Sequence, residues 1–291
     1  MKTLRAIVLT LLVITLSGCI TYRYEQAEAL IPPGIEEPFI ETRLAQINPP
    51  QVTEELPLII FKALFIPLPE EPTITLLNGI ASNITTSAYD VVALIGDKEA
   101  LTYLEQIFGN LSYRLGERQL VVTSFNGDVD SEGEISLYSY PQTELSVALL
   151  EVSPGAYQRL LQGAELEELP QESSLTLPSG EGPTLLFASL GEPSSEDWFE
   201  TIDGHPYRIQ MVWPNSDAIR EAGFFDTWRL THYSALSDPG TTWEYLYAED
   251  LIVRERIDYL YVKGIVPLES NTLSIAPNGG RYAIEATFII P

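Results

Sequence analysis

The chain has 291 residues, 45% of them hydrophobic, and its 41 acidic and 16 basic residues give a formal charge of −25. The apolar content excludes wholesale disorder. The scarcity of Lys and Arg argues against a nucleic-acid partner, because these residues neutralise a phosphate backbone. The single cysteine, Cys19, excludes an internal disulfide framework and any metal site that needs several cysteines.

Residues 1–18 have the organisation of a bacterial secretory signal. Lys2 and Arg5 precede an apolar run over residues 6–16, and small residues follow it. This length and order are typical of a cleaved signal peptide rather than of a membrane-spanning helix.

A lipidation site follows the apolar run. The boundary Leu16-Ser17-Gly18-Cys19 resembles the bacterial lipobox, which implies cleavage before Cys19 and acylation of its thiol by fatty acids such as palmitate. The alternative is an ordinary signal peptide with an unmodified cysteine. Residue 20 is Ile rather than an acid, as in lipoproteins that are passed on to an outer membrane. We therefore expect a lipid-anchored protein of the bacterial cell envelope, in the outer membrane if the cell is Gram-negative.

Residues 19–55 differ in composition from the rest of the chain. Pro32-Pro33-Gly34, Glu36-Glu37-Pro38 and Pro49-Pro50 interrupt a stretch with no sustained hydrophobic period. Proline stiffens such a segment and like charges extend it. The pattern predicts a tether between the acylated cysteine and a folded domain at residues 56–291.

The domain alternates short apolar runs with helical patterns. Runs rich in Val, Ile, Leu, Thr and aromatic residues predict strands. The predicted strands are Leu58–Ile66, Thr73–Leu77, Val91–Leu94, Leu120–Phe125, Ile135–Tyr140, Leu145–Val152, Thr184–Ser189, Ile257–Val262 and Tyr282–Ile290. The predicted helices are Lys98–Phe108, Gly155–Leu169, Glu196–Ile202 and Ser216–Ala222. Because strands outnumber helices, we expect one α/β domain built around packed sheets.

Three segments near the C-terminus occur in an order that resembles one family. They are Gly223-Phe224-Phe225-Asp226-Thr227-Trp228-Arg229, Thr241-Thr242-Trp243 and Arg256-Ile257-Asp258-Tyr259-Leu260-Tyr261-Val262. This series resembles the endonuclease/exonuclease/phosphatase superfamily of metal-dependent phosphoesterases. The resemblance covers residues 72–291 and implies a two-sheet α/β sandwich with outer helices. It also implies that Thr73–Gly79 is the first strand and that the helix usual after it is shortened or missing.

The resemblance also implies where the family's catalytic groups would stand. That chemistry needs acids and amides on a divalent metal, together with a His that an Asp orients. The family's first-strand Asn falls at Gly79 or Asn78, and its metal-binding Glu falls at Gly96. Its middle-strand His falls at Glu151. Its Gly-Asp-x-Asn loop corresponds to Ala188-Ser189-Leu190-Gly191, and its terminal Ser-Asp-His corresponds to Gly279-Gly280-Arg281. Only Asp258 keeps its identity. A serine or glycine cannot replace a carboxylate at a hard-cation site.

The substitutions predict a domain that keeps the family's fold without its catalytic site. Trp228, Trp243, Ile257 and Tyr259 are expected to be structural, and Asp258 is expected to form hydrogen bonds beside Arg256. The expected function is a noncatalytic binding or scaffold module for an envelope protein or a small ligand, without a cofactor.

The alternative is a divergent hydrolase that acts on a small phosphoester or lipid headgroup and requires magnesium or manganese. It would use Glu151, Asp258 and the acids of residues 128–134. Arg281 could bind an anion in the former cleft, or it could be a solvated loop residue.

One further segment has the pattern of a calcium loop. Asp128, Asp130 and Glu132 place oxygens at alternate positions, with Gly133 sixth and Ile135 eighth. The twelfth position is Ser139, which lacks the bidentate acid, so an acidic hairpin turn is the alternative. The two histidines, His205 and His232, have no nucleophile or metal-ligand partner nearby in sequence.

Overall fold

Two six-stranded sheets are the framework of the domain in this computed structural model. The first sheet has the strand order β13-β14-β1-β2-β4-β3 and the second has the order β5-β6-β7-β8-β12-β9, while β10 and β11 form a separate hairpin. The strands are β1 (Ile59–Pro67), β2 (Val91–Ile95), β3 (Ser112–Gly116), β4 (Gln119–Thr123), β5 (Asn126–Val129), β6 (Ile135–Ser139), β7 (Thr143–Glu151), β8 (Thr184–Ser189), β9 (Phe225–Asp226), β10 (Trp243–Ala248), β11 (Leu251–Glu255), β12 (Asp258–Lys263), β13 (Val266–Ser274) and β14 (Tyr282–Ile290).

Helices lie outside the sheets. The α-helices of the described chain are α1 (Ile74–Thr86), α2 (Lys98–Phe108), α3 (Ala156–Leu161), α4 (Pro214–Glu221) and α5 (Thr227–Thr231), and 3-10 turns form at Gly109–Leu111 and Leu166–Glu168. Among these residues, none of the helices has both the length and the apolar character needed to span a membrane.

The structure describes residues 59–130, 134–139, 143–180, 182–198, 213–235, 237–248, 251–275 and 280–290. The predicted signal, the tether and Cys19 lie outside the described residues. Glu132 and His205 lie outside them as well, and so does most of the helix predicted at Glu196–Ile202, where residues 195–197 form a turn.

The main core lies between the two sheets. Phe61 stacks on Phe288 with ring centroids 5.2 Å apart, and Phe65 meets Phe187 across the layers at 5.6 Å. A second core lies under α1 and α2, on the outer face of the first sheet, where Leu64 and Leu94 pack against helix residues. A third covers the outer face of the second sheet. The predicted two-sheet sandwich with outer helices is therefore confirmed.

The strand predicted at Thr73–Leu77 is wrong, because α1 begins there. The Thr73 hydroxyl accepts a hydrogen bond from the Leu76 N–H at 3.2 Å and caps the helix. Leu77, Ile80 and Ile84 then recur at helical spacing and are buried. The first strand is β1, and a 13-residue helix follows it. Gly79 and Asn78, the predicted positions of the family's asparagine, therefore lie in α1.

The predicted helix Gly155–Leu169 is much shorter than expected. Helix α3 ends at Leu161, and Gly163 follows with φ +97°, a conformation that an L side chain rarely adopts. The helix predicted at Ser216–Ala222 begins earlier, since Pro214 stands in its first turn. The sequence analysis does not predict β3, β5, β9, β10, β11 and β13, because these strands are short or rich in polar residues.

The cap of α2 gives a stability prediction. The Asp97 carboxylate accepts hydrogen bonds from the N–H groups of Glu99 at 2.8 Å and Ala100 at 2.9 Å. Asp97→Ala should lower the free energy of unfolding by about 1 kcal/mol, whereas Asp97→Asn, which keeps an acceptor oxygen, should change it by only a few tenths. Urea denaturation of both variants measures this. Equal losses in the two variants would show that the cap is not the source of the effect.

Candidate functional site

Three residues that the sequence analysis singled out form one row across the second sheet. Glu151 ends β7, Ser189 ends β8 and Asp258 begins β12, and the register pairs Glu151 with Ser189 and Ser189 with Asp258. Paired residues on adjacent strands face the same side of a sheet. Residues two positions along these strands, such as Phe187 and Leu260, belong to the core between the sheets. The row therefore faces the first sheet at one end of the sandwich.

Asp258 is fully buried, and both of its carboxylate oxygens have partners. The Ser189 hydroxyl donates to Oδ1 at 2.6 Å, and Arg281 Nη1 donates to Oδ2 at 2.6 Å. Arg281 directly precedes β14 and pairs with Trp243 of β10 as an isolated bridge, which fixes its position. Asp258 therefore contacts Arg281 and Ser189 rather than Arg256. Arg281 is neither a solvated loop residue nor an unpaired anion-binding group.

Glu151 is paired with a second arginine from the first sheet. Arg118, in the turn between β3 and β4, donates from Nε to both carboxylate oxygens at 3.0 Å. Its side chain is half exposed, whereas that of Glu151 is 12% exposed. The hydrogen bond to Glu151 raises the pKa of Arg118 despite the opposing effect of burial. We call Glu151, Ser189, Asp258, Arg118 and Arg281 the arginine-paired site.

The other positions implied by the resemblance offer no further acid. Gly96 donates its N–H to the Arg118 carbonyl at 3.1 Å, and a Cβ there would lie 2.8 Å from a side-chain atom of Leu68. A metal-binding glutamate therefore cannot be accommodated at Gly96 unless Leu68 moves. Among the described residues, no three His, Cys, Asp or Glu side chains converge on a point where they could hold a metal ion. The described residues at the implied catalytic positions therefore do not fit the divalent metal that the resemblance implies.

The predicted calcium loop lies at the other end of the second sheet. Asp128 is on β5, in a row that continues through Ser136 and Ser146 to Thr184. That row is five residues from Ser189, or roughly 17 Å along a strand. Asp130 accepts a hydrogen bond from the Glu134 N–H at 3.0 Å, which closes the hairpin turn. The structure therefore does not bring Asp128 and Asp130 to Glu151 and Asp258, as the hydrolase alternative required.

The segments that carry the family resemblance build a buried ion network. Arg256 donates to Asp197 at 2.9 Å and to Asp226 at 2.8 Å, and Arg229 donates to Asp197 at 2.6 Å. All four residues are at most 7% exposed. Burial alone would raise the pKa of Asp197, but Arg256 and Arg229 outweigh that effect and lower it. Each charge is compensated within the network, which is therefore structural.

Four residues of these segments that were predicted to be structural lie in the interior. Trp228, Trp243, Ile257 and Tyr259 are all buried. Gly240 shows why one loop needs glycine, since its φ is +64° and an added Cβ would lie 2.5 Å from the Trp228 ring. His232 stacks on that ring at 3.9 Å, and its Nδ1 lies 3.0 Å from the Thr231 hydroxyl.

Sequence reasoning missed Glu192, a fully buried carboxylate in the loop after β8. Its Oε1 accepts from the Asn215 N–H at 2.8 Å and the Ser216 N–H at 3.3 Å, both in the first turn of α4. Its Oε2 accepts from Asn215 Nδ2 at 3.0 Å. Burial raises the pKa of Glu192 to about 7, although these hydrogen bonds oppose the rise. No short motif marks this acid, because its partners come 23 and 24 residues later.

No protein-family model matches the sequence. An uncharacterized protein of Caenorhabditis elegans is 30% identical over 103 residues, which is 32% of this chain and 32% of that protein. The chain thus spans about a third of the length of the curated relative that it matches.

Solved structures similar to this chain include members of the endonuclease/exonuclease/phosphatase family. One from Bacteroides thetaiotaomicron is 10% identical at a TM-score of 0.49 and covers 81% of this chain and 100% of its own. One from Beutenbergia cavernae is 14% identical at a TM-score of 0.48 and covers 79% of this chain and 72% of its own. The family predicted from the sequence is thus represented among the similar structures.

Glu192 gives a pH prediction with a defined sign. Its folded-state pKa of about 7 lies above the ordinary glutamate value of 4.5, so folding binds a proton at pH values between these two. The protonated Glu192 should therefore contribute fully to the free energy of unfolding below about pH 4.5. This contribution should decrease by about 3 kcal/mol as the pH rises from about 4.5 through about 7. Glu192→Gln should remove this part of the pH dependence.

The measurement is urea denaturation of the wild type and Glu192→Gln across the pH range 5 to 8, roughly the titration window. The stability difference between them should shift in favour of the variant as the pH rises. Glu71→Gln, at an exposed position, is the matched control and should follow the wild type. Parallel curves for the wild type and Glu192→Gln would contradict the raised pKa.

Proposed function

We propose that this chain is a lipid-anchored protein of the bacterial cell envelope whose α/β sandwich is a noncatalytic binding or scaffold module. The observation that carries the proposal is the pairing of both candidate acids with arginines. Asp258 accepts from Arg281, and Glu151 accepts from Arg118, each at 3.0 Å or less. These contacts use the carboxylate oxygens that the divergent hydrolase would need for its metal ion.

The charge balance of the arginine-paired site supports this proposal. A magnesium or manganese ion is held by carboxylate and carbonyl oxygens that are free to coordinate it. Here two carboxylates are matched by two guanidinium groups, and Ser189 donates its proton to Asp258. A divalent cation would have to displace an arginine from a buried carboxylate and would then meet its positive charge at short range.

The anchor and the partners are proposed from the sequence. Cys19 in Leu16-Ser17-Gly18-Cys19 would carry the acyl chains, and residues 19–55 would connect them to the domain. Two or more acyl chains give stable anchoring. The formal charge of −25 favours an envelope protein or a small ligand over nucleic acid as the partner. The outer membrane is the expected location in a Gram-negative cell.

The catalytic part is tested by calorimetric titration of the purified full chain with MgCl₂, MnCl₂ and CaCl₂, together with hydrolysis of bis(p-nitrophenyl) phosphate. We expect no saturable binding of Mg²⁺ or Mn²⁺ and no metal-dependent turnover. One Mn²⁺ per molecule with turnover, both lost in Asp258→Asn and kept in the exposed control Asp238→Asn, would establish the divergent hydrolase instead. Calcium binding alone, lost in Asp128→Ala, would identify the loop as a calcium site and support the absence of a catalytic metal.

The anchor is tested by labelling cells with radioactive palmitate and fractionating their membranes. Cys19→Ala should lose the label and leave an uncleaved precursor, because the acylated thiol is gone and processing occurs at that residue. Ser17→Ala keeps a small residue in the boundary and should be labelled and processed normally. Equal labelling of wild type and Cys19→Ala would contradict the lipoprotein assignment.

A further inference from the structure

In the described chain, the helices cover only part of the outer face of the first sheet. Leu64 and Ala283 on this face are buried in the core under α1 and α2. Successive outward positions of a strand are two residues apart. The next two outward positions toward the start of β1 are Lys62, which is exposed, and Ile60, which is 61% exposed. The cover therefore ends between Leu64 and Lys62.

Apolar side chains form a row at the end of this uncovered part. The register pairs Ile60 of β1 with Ile289 of β14, and Ile289 with Val266 of β13, so the three share the outer face. Leu268, which is half exposed, stands beside them at a shift in the register of β13 and β14. We call Ile60, Val266, Leu268 and Ile289 the apolar rim. A single exposed apolar side chain needs no explanation, but a cluster marks a contact with a protein or a membrane.

The apolar rim lies where the chain from the proposed anchor enters the domain. Strand β1 begins at Ile59, next to Ile60, so residues 19–55 lead from Cys19 to this end of the sheet. A tether makes a second contact with the same membrane intramolecular and raises the effective concentration of the two surfaces. A small apolar patch therefore suffices for a contact that it would not form from free solution.

The sheet edge beside the rim is poorly suited to pairing with a second copy of the chain. Strand β13 is this edge, and Pro267 and the register shift after it interrupt its pairing pattern. Proline and irregular register are features that protect edge strands from pairing. The formal charge of −25 on each copy also opposes self-association. A membrane surface is therefore favoured over a second copy.

We propose that the apolar rim is a contact surface for the lipid bilayer that carries the acylated Cys19. Its side chains would lie in the interfacial layer of the bilayer. The contact depends on apolar burial rather than on charge, because the excess of acidic residues opposes attraction to anionic lipids. This inference rests on the lipid anchor of the proposed function.

The contact would hold the arginine-paired site away from the membrane. Gly96, which donates to the Arg118 carbonyl, directly follows β2, and β2 runs parallel to β1. The site therefore lies at the end of the sheet where β1 finishes, whereas the rim lies where β1 begins. Pro67 comes seven residues after Ile60, or roughly 23 Å along an extended strand. A module held in this way presents the arginine-paired site to the aqueous compartment.

The test is lipid quenching of a bimane label on the acylated full chain in phosphatidylcholine vesicles that carry a doxyl nitroxide near the headgroups. The labelled variants are Ile60→Cys and Leu268→Cys, since Cys19, the one native cysteine, takes up no label once it is acylated. Both labels should lose about half of their emission or more, because the apolar side of a surface-bound segment enters the bilayer by about 5–10 Å.

Ile74→Cys is the matched control. Ile74 is an isoleucine that is 66% exposed, at the start of α1, which begins seven residues after β1 ends and thus toward the other end of the sheet. Its label should keep its emission. Leu268→Ser should restore part of the emission at position 60, because an apolar contact is lost. Ile60, Ile74 and Leu268 are exposed, so all variants should unfold at the wild-type urea midpoint, which distinguishes a lost contact from a lost fold.

Three results would overturn the proposal. They are emission at position 60 that the doxyl lipid leaves unchanged, equal quenching at positions 60 and 74, and quenching at position 60 that Leu268→Ser does not reduce. An emission shift without quenching, seen only when several chains share a vesicle, would assign the rim to a second copy and overturn the proposal as well.

Flotation of the vesicles separates this inference from the anchor on which it rests. A wild-type chain that fails to float and takes up bimane would contradict the acylation of Cys19, and the bilayer contact would fall with it. A chain that floats without quenching at position 60 would contradict the contact alone and leave the anchor in place.

Discussion

A carboxylate that is buried between two sheets must find a positive charge or several hydrogen-bond donors, because its desolvation is otherwise very costly. Asp258 is fully buried and meets this requirement with Ser189 and Arg281. Glu151 meets it with Arg118 on the same side of the sandwich. In each pair the second sheet contributes the acid and the first sheet the arginine, so these contacts join the two layers at that end.

The same requirement organises the interior beside this site. Arg256 begins the segment that leads into β12, and it is held by Asp197 and Asp226. Asp226 also caps α5 through the Trp228 N–H at 2.9 Å. Three residues of the segments that resemble the family, Asp226, Arg229 and Arg256, thus belong to this buried ion network.

The sequence predicted the strands best where they are buried on both faces, as β2 and β8 are, because their apolar runs are continuous. It failed at Thr73–Leu77, where β-branched residues favour a strand but a threonine cap and the buried helical face decide the outcome. The resemblance assigned Glu151, Ser189 and Asp258 to catalytic positions of the family, and the structure places these three residues in one row. The pairing of Arg118 with Glu151 could not be predicted in this way, because it depends on how the two sheets are placed against each other. Glu192 was not found, since only folding brings the start of α4 to it.

The most direct test of this account is a double-mutant cycle on Asp258 and Arg281. The free energies of unfolding of wild type, Asp258→Asn, Arg281→Met and the double variant would be measured in urea. We expect a coupling energy of about 1–3 kcal/mol, because Arg281→Met alone leaves an uncompensated buried carboxylate and Asp258→Asn relieves that cost. Additivity within about 0.5 kcal/mol would contradict it, since the arginine would then not be what neutralises Asp258.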